Sequence, residues 1–176
     1  MNKPQSSLSF KVMSLIFKLR DLLKSRAEVL IEAGIQREDT VLDFGCGPGG
    51  YIKPLAKMVG PDGKIYALDI NPQAIRAVKN FASKNHLFNI KTIISDLKTG
   101  LADTSMDYVL LFDVLHHLNQ PEAALEEIHR VLKSDGILAM SDHHMEDEEI
   151  KKIITDTGYF RLRTRGINAF LFSKVG

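Results

Sequence analysis

Val41-Leu42-Asp43-Phe44-Gly45-Cys46-Gly47-Pro48-Gly49-Gly50 is the stretch on which the fold turns. Four residues with strand character run into a turn holding four glycines in six positions, and residues 51–59 then take up helical periodicity. Pro54 falls early enough in that helix for its missing N–H to cost little. Strand, glycine turn and helix together make the first half of a βαβ unit. Glycine is the residue such a turn needs, because it bends the backbone sharply and lets a ligand approach without meeting a Cβ.

Outward from this stretch, strand and helix alternate. Pro61-Asp62-Gly63 is a turn, residues 64–69 a second strand, and Asn71-Pro72 opens a helix running to residue 84. Strands are expected at 90–95, 107–112 and 137–141, with a polar loop at 96–106 and helices at 121–132 and 146–155. Ser134-Asp135-Gly136 turns into the fifth strand. Residues 160–165 and 168–173 are strands joined at Gly166 by a link too short for anything but an antiparallel pair. The expectation is an α/β protein with one Rossmann-like, doubly wound sheet of seven strands, mainly parallel, closed by an antiparallel C-terminal hairpin.

Ahead of it lies an N-terminal helical segment, residues 1–37, belonging to the same domain as residues 38–176. There Leu8, Val12, Leu15, Leu19 and Leu22 recur at helical spacing, as in a helix packed on the sheet, a lid over an apolar substrate or a membrane-surface helix, of which packing is preferred. Lys11, Lys18, Arg20 and Asp21 break the apolar run, so neither a signal peptide nor the roughly 18 apolar residues of a membrane span is expected.

Composition narrows the function. The 176 residues carry 23 Lys+Arg against 22 Asp+Glu, and 44% are hydrophobic. That length and balance describe one globular domain with no global pull towards nucleic acid or anionic membrane. A single cysteine, Cys46, excludes an internal disulfide and a multi-cysteine zinc module, and fits a cytoplasmic, reducing compartment.

The glycine string also satisfies GxGxxG, the dinucleotide fingerprint, and charge must decide between ligands. Pyrophosphate over this turn would lie close to Asp43, with no Lys or Arg in the turn to compensate. A ligand with a sulfonium and an ammonium reverses that sign, so S-adenosylmethionine is preferred to NAD. With these features the sequence resembles the seven-stranded, class I S-adenosylmethionine-dependent methyltransferases, over residues 38–174. It is most similar to the small ubiquinone/menaquinone-biosynthesis type.

The resemblance implies the strand order 3-2-1-4-5-7-6, with strand seven antiparallel. It also implies a cofactor site of Asp43, Gly45, Cys46, Gly47 and Tyr51 around the turn. Asp69 would lie at the ribose with Ile70 against the adenine, Asp96 and the Leu97 amide at the adenine edge, and Phe112 beside the methyl donor. Asp69 stands 22 positions past Gly47, where an acid can accept from ribose hydroxyls in either cofactor class. The segment from Phe112 to Leu118 lacks the Pro-Pro and Pro-Cys signatures of nucleic-acid methylation, which disfavours a nucleic-acid partner and leaves a small-molecule acceptor. A homodimer is compatible with the sequence.

Methyl transfer is a displacement with an excellent leaving group, so a base is needed only when the acceptor must lose a proton. Four of the six histidines stand in two pairs, His116-His117 and His143-His144, after the fourth and fifth strands. His117 and His143 are the candidate bases. A metal site with Asp113 or Asp142, or simple pocket lining, are the alternatives, and no metal is expected. Neighbours in extended chain point oppositely, so one of each pair is expected to converge. Arg161, Arg163 and Arg165 alternate along a strand, as a solvated edge or a docking stripe for an anion. Two other classes stay open: an NAD-type oxidoreductase and a non-catalytic S-adenosylmethionine-binding partner protein.

Overall fold

The structure is a computed structural model that describes residues 26–176. The amphipathic pattern of residues 8–23 lies outside the described residues. In chain order the elements are α1 (Arg26–Ala33), β1 (Thr40–Phe44), α2 (Ile52–Val59), β2 (Lys64–Asp69), α3 (Pro72–Lys84), β3 (Ile90–Ile94) and β4 (Met106–Phe112). A single 3-10 turn, Leu115–His117, precedes α4 (Pro121–Val131), β5 (Leu132–Ser141), α5 (Asp147–Asp156), β6 (Phe160–Arg165) and β7 (Phe170–Lys174). The sheet order is β3-β2-β1-β4-β5-β7-β6. β1 to β5 pair in parallel, and β7 runs antiparallel to both its neighbours.

The central strands are buried on both faces, so their side chains sort alternately into two cores. Val41 and Leu110 point into one, with Leu30 of α1, Leu55 of α2 and Val78 of α3. Leu42, Val109 and Leu111 point into the other, with Leu125 and Ile128 of α4 and Ile154 of α5. Each fully buried leucine or isoleucine of this kind contributes about 1.5–3 kcal/mol. α3 starts as its sequence dictates: Asn71 is the N-cap, its side-chain oxygen accepting from the Gln73 N–H at 2.9 Å, and Pro72 takes the first turn.

Two strands start elsewhere than expected, each for a tertiary reason. β5 begins at Leu132, not 137, and the helix before it ends at Val131. Met106 pairs with Leu132 before the register slips and Tyr108 pairs with Ile137, so Ser134-Asp135-Gly136 is a bulge within the strand. β7 begins at Phe170, not 168, because Glu32 of α1 holds the turn: its carboxylate accepts from the Asn168 N–H, the Asn168 side chain and the Ala169 N–H, all within 3.1 Å.

The loop expected at 96–106 is a loop up to Met106, which begins β4, and it is strapped to α4. Glu127 Oε1 accepts from the Thr99 N–H at 2.8 Å and its hydroxyl at 2.6 Å, while Arg130 donates to the Leu101 carbonyl and to Asp103. Arg130 hydrogen bonds and those from Thr99 outweigh burial and pull the Glu127 carboxyl down to about 2. β6 is one of the two edge strands. Arg161, Arg163 and Arg165 are exposed on it, and Arg165 pairs with Asp147 at 3.0 Å. Among the described residues, no helix is long and apolar enough to cross a membrane.

Candidate functional site

The carboxyl ends of β1, β2, β4 and β5 meet at one edge of the sheet, where ligands bind in open α/β folds. β1 delivers the glycine turn there. The Gly45 and Cys46 N–H groups both donate to the Leu68 carbonyl, at 2.8 and 2.9 Å. Gly45 has φ 81°, and a Cβ there would fall 2.4 Å from a methyl of Val114, so the segment after β4 packs directly on the turn. Gly47 also has positive φ, 51°, but a Cβ there would meet nothing within 4 Å, so this side of the turn is open.

Asp69, at the end of β2, ties this turn down. Its Oδ2 accepts from the Gly47 N–H at 2.8 Å and its Oδ1 from the Asn71 N–H at 2.7 Å. One lone pair on each oxygen is left over for hydroxyl donors. Burial raises the Asp69 carboxyl against the lowering effect of those two bonds. Ile70 beside it is half-buried.

Asp43 lies beneath the turn, 3% exposed, and among the described residues its Oδ2 has no hydrogen-bond partner. Burial pushes its carboxyl up to about 7; Arg26 draws it down and Asp69 adds to the rise. An acid in this state is stabilised by a nearby cation and opposes a phosphate. The buried Cys46 thiol is driven well above its ordinary range by burial and by the charges of Asp43 and Asp69, which disfavours the thiolate.

Tyr51 and Phe112 close one side, their ring centroids 4.8 Å apart. The Arg26 guanidinium lies 4.8 Å from the Tyr51 centroid and against Gly50, where a Cβ would collide with it. Arg26 is a site neighbour that the sequence reading missed, because nothing in a helix 17 residues before Asp43 marks it as reaching the turn. Asp96 is exposed beyond the end of β3, and the Leu97 N–H donates to Ser95 Oγ at 3.3 Å, a long bond that a ligand acceptor would have to displace.

The histidines assemble differently from expectation. Phe112 pairs with Ser141, so Asp113 and Asp142 leave adjacent strands side by side. Each carboxylate then takes the other strand's histidine. Asp142 Oδ2 accepts from His116 Nδ1 at 2.7 Å and the His116 N–H at 3.2 Å. Asp113 Oδ1 accepts from His143 Nδ1 at 2.6 Å and the His143 N–H at 3.1 Å.

The His116 ring lies 3.8 Å from that of His117 and 4.5 Å from that of His144. The two rings of the first pair lie against each other because the 3-10 turn rotates successive side chains by about 120° rather than 180°, and one member of each pair, His116 and His143, meets a carboxylate. His117 is exposed, and burial and His116 lower its basicity. No group of three or more His, Cys, Asp or Glu among the described residues is arranged to hold a metal ion.

Comparison with known proteins agrees with this geometry. A methyltransferase-domain family matches residues 35–164. Demethylmenaquinone methyltransferase of Geobacillus stearothermophilus is 30% identical over 132 residues, 74% of this chain and 56% of the relative. Sterol 24-C-methyltransferase of Saccharomyces cerevisiae is 31% identical over 119 residues, 66% of this chain and 30% of the relative. The chain spans about half the length of the demethylmenaquinone methyltransferases it matches. A crystal structure of an S-adenosylmethionine-dependent methyltransferase from Aquifex aeolicus superposes with a TM-score of 0.80 at 29% identity, covering 93% of this chain and 98% of that one. Fold, glycine turn and family match converge, and the chain belongs to the class I S-adenosylmethionine-dependent methyltransferases.

Proposed function

We propose that the chain methylates a small organic acceptor, with the cofactor held along the crevice over the glycine turn. The observation that carries this reading is the buried, unpartnered oxygen of Asp43 under a glycine turn whose outer side is open at Gly47. Such an acid fits the positive charge of S-adenosylmethionine. Asp43, Gly45, Cys46, Gly47 and Tyr51 would surround the methionyl end; Asp69 would accept from the ribose, with Ile70, Asp96 and Leu97 about the adenine and Phe112 bordering the reacting carbon. The bound cofactor supplies an electrophilic methyl group. The chain supplies position, a crevice walled by Tyr51, Phe112 and Val114, and the histidines at its rim.

A small acceptor is supported by relatives whose names specify a demethylmenaquinone and a sterol. We further propose that residues 1–37 belong to this same domain and help cover the crevice, since the strap of 96–106 onto α4 leaves that loop little freedom to close. The test is calorimetry with S-adenosylmethionine, S-adenosylhomocysteine and NADH, followed by tritiated-methyl transfer across metabolite pools with product mass measured. Binding of the first two and labelling of a small product are expected. Uptake of NADH alone would refute the reading.

A further inference from the structure

We propose that His143, held by Asp113, takes a proton from the acceptor, so that the atom methylated here bears an ionisable O–H, N–H or acidic C–H. This rests on the methyl-transfer reading above and narrows its substrate class.

Three features single out His143. Its Nδ1 and its backbone N–H both go to Asp113 Oδ1, so the ring is fixed in orientation and carries its proton on Nδ1. Nε2 is then left with a bare lone pair. The side chain is 52% exposed, so that lone pair is open to a ligand, whereas Asp113 is 10% exposed and shielded. Asp113 itself lies between Phe112, which meets Tyr51, and Val114, which packs on Gly45, so the pair stands at the rim of the cofactor crevice. The Asp113 backbone takes φ 56°, unusual for a residue other than glycine, and its N–H donates to the Ser141 carbonyl of β5 at 2.8 Å.

His116 has the same bonding but not the same access. Its side chain is 19% exposed, its carboxylate partner Asp142 is fully shielded, and two histidine rings flank it. Asp142 also accepts from the His144 N–H at 3.1 Å, so the buried pair shapes the loop that carries His143.

In the step, the acceptor lone pair forms the new bond to the methyl carbon and the C–S pair stays on sulfur. The acceptor proton passes to His143 Nε2, and the imidazolium beside Asp113 releases it to solvent. Asp113 acts as a positioning residue that keeps Nε2 bare.

The first test is long-range proton–nitrogen NMR of the full chain with 15N-labelled histidine, the His143 signals assigned through His143→Gln. At about pH 8, Nδ1 should be protonated and Nε2 bare, and Asp113→Asn should move the proton towards Nε2. Wild-type His143 protonated at Nε2 would overturn the proposal without any acceptor being known. The second test offers phenol, menadiol and aniline as protic acceptors, and dimethyl sulfide and pyridine as aprotic ones. Labelling restricted to the protic set is expected, with kcat falling about 100-fold or more in His143→Gln and S-adenosylhomocysteine affinity retained. Equal labelling of the aprotic set, or near wild-type kcat in the variant, would sink it. Loss of S-adenosylhomocysteine binding in the wild type would strike the methyl-transfer reading instead, so the two failures are told apart.

Discussion

Asp43→Asn keeps the shape of a fully buried side chain and removes its charge. The rise of the carboxyl from its ordinary 3.8 to about 7 is worth roughly 4 kcal/mol, at about 1.36 kcal/mol per pH unit. The folded protein binds this proton more tightly than the unfolded chain does. Stability from the protonated form is therefore complete below about 3.8 and is lost as pH rises through about 7. The amide places an N–H2 where an unpartnered oxygen stood, which offsets about 1–3 kcal/mol. At about pH 8 the variant without cofactor should be more stable by about 1–3 kcal/mol, raising Tm by about 2–12 °C for a chain of this size. Towards about pH 4 that gain should vanish or reverse.

The cofactor should reverse the ranking. S-adenosylmethionine should raise Tm strongly in the wild type at about pH 8 and weakly in the variant, because the charge it would meet is gone. Differential scanning calorimetry at several pH values, with and without the ligand, measures both effects. A variant that is destabilised at about pH 8, or stabilised by the cofactor as much as the wild type, would refute the electrostatic account of this crevice.

Other perturbations separate fold from site. Gly45→Ala drives a methyl into Val114 at positive φ and should cost about 2–4 kcal/mol by urea unfolding; Gly47→Ala meets open space and should cost only about 1–2 kcal/mol, while calorimetry shows cofactor affinity falling. Glu127→Gln should cost roughly 3 kcal/mol at neutral pH, the value of a carboxyl lowered from 4.5 to about 2. Being a depressed acid, Glu127 contributes above about 4.5 and loses that contribution as pH falls through about 2, so the wild type and the variant should converge in acid. Cys46 should label with an aromatic disulfide reagent only as fast as the protein opens, because the thiol is buried and raised well above its ordinary range; rapid labelling of the native protein would contradict the turn as described.

Much of the architecture was legible before any coordinates. The strands at 41–44, 64–69 and 160–165 and the helix from Pro72 to Lys84 are dictated by short-range causes: alternating apolar residues, an Asn-Pro start, glycine turns. The misses are long-range. The start of β5 at Leu132 depends on pairing with Met106, and the start of β7 on Glu32 reaching across from α1, neither of which leaves a local pattern. At the candidate site, the glycine turn, Asp43 and Asp69 could be named from spacing. Arg26 against Gly50, Val114 on Gly45 and the crossed Asp–His pairs could not.

Local chemistry thus determined the periodicities, the glycine turn, the sign of charge beneath it and the family these imply. The tertiary structure alone decided which histidine meets which carboxylate and which of them faces solvent. Those pairings arise because Phe112 comes into register with Ser141 across two strands nearly thirty residues apart in the chain, and register is a property of the packed sheet, not of either strand by itself.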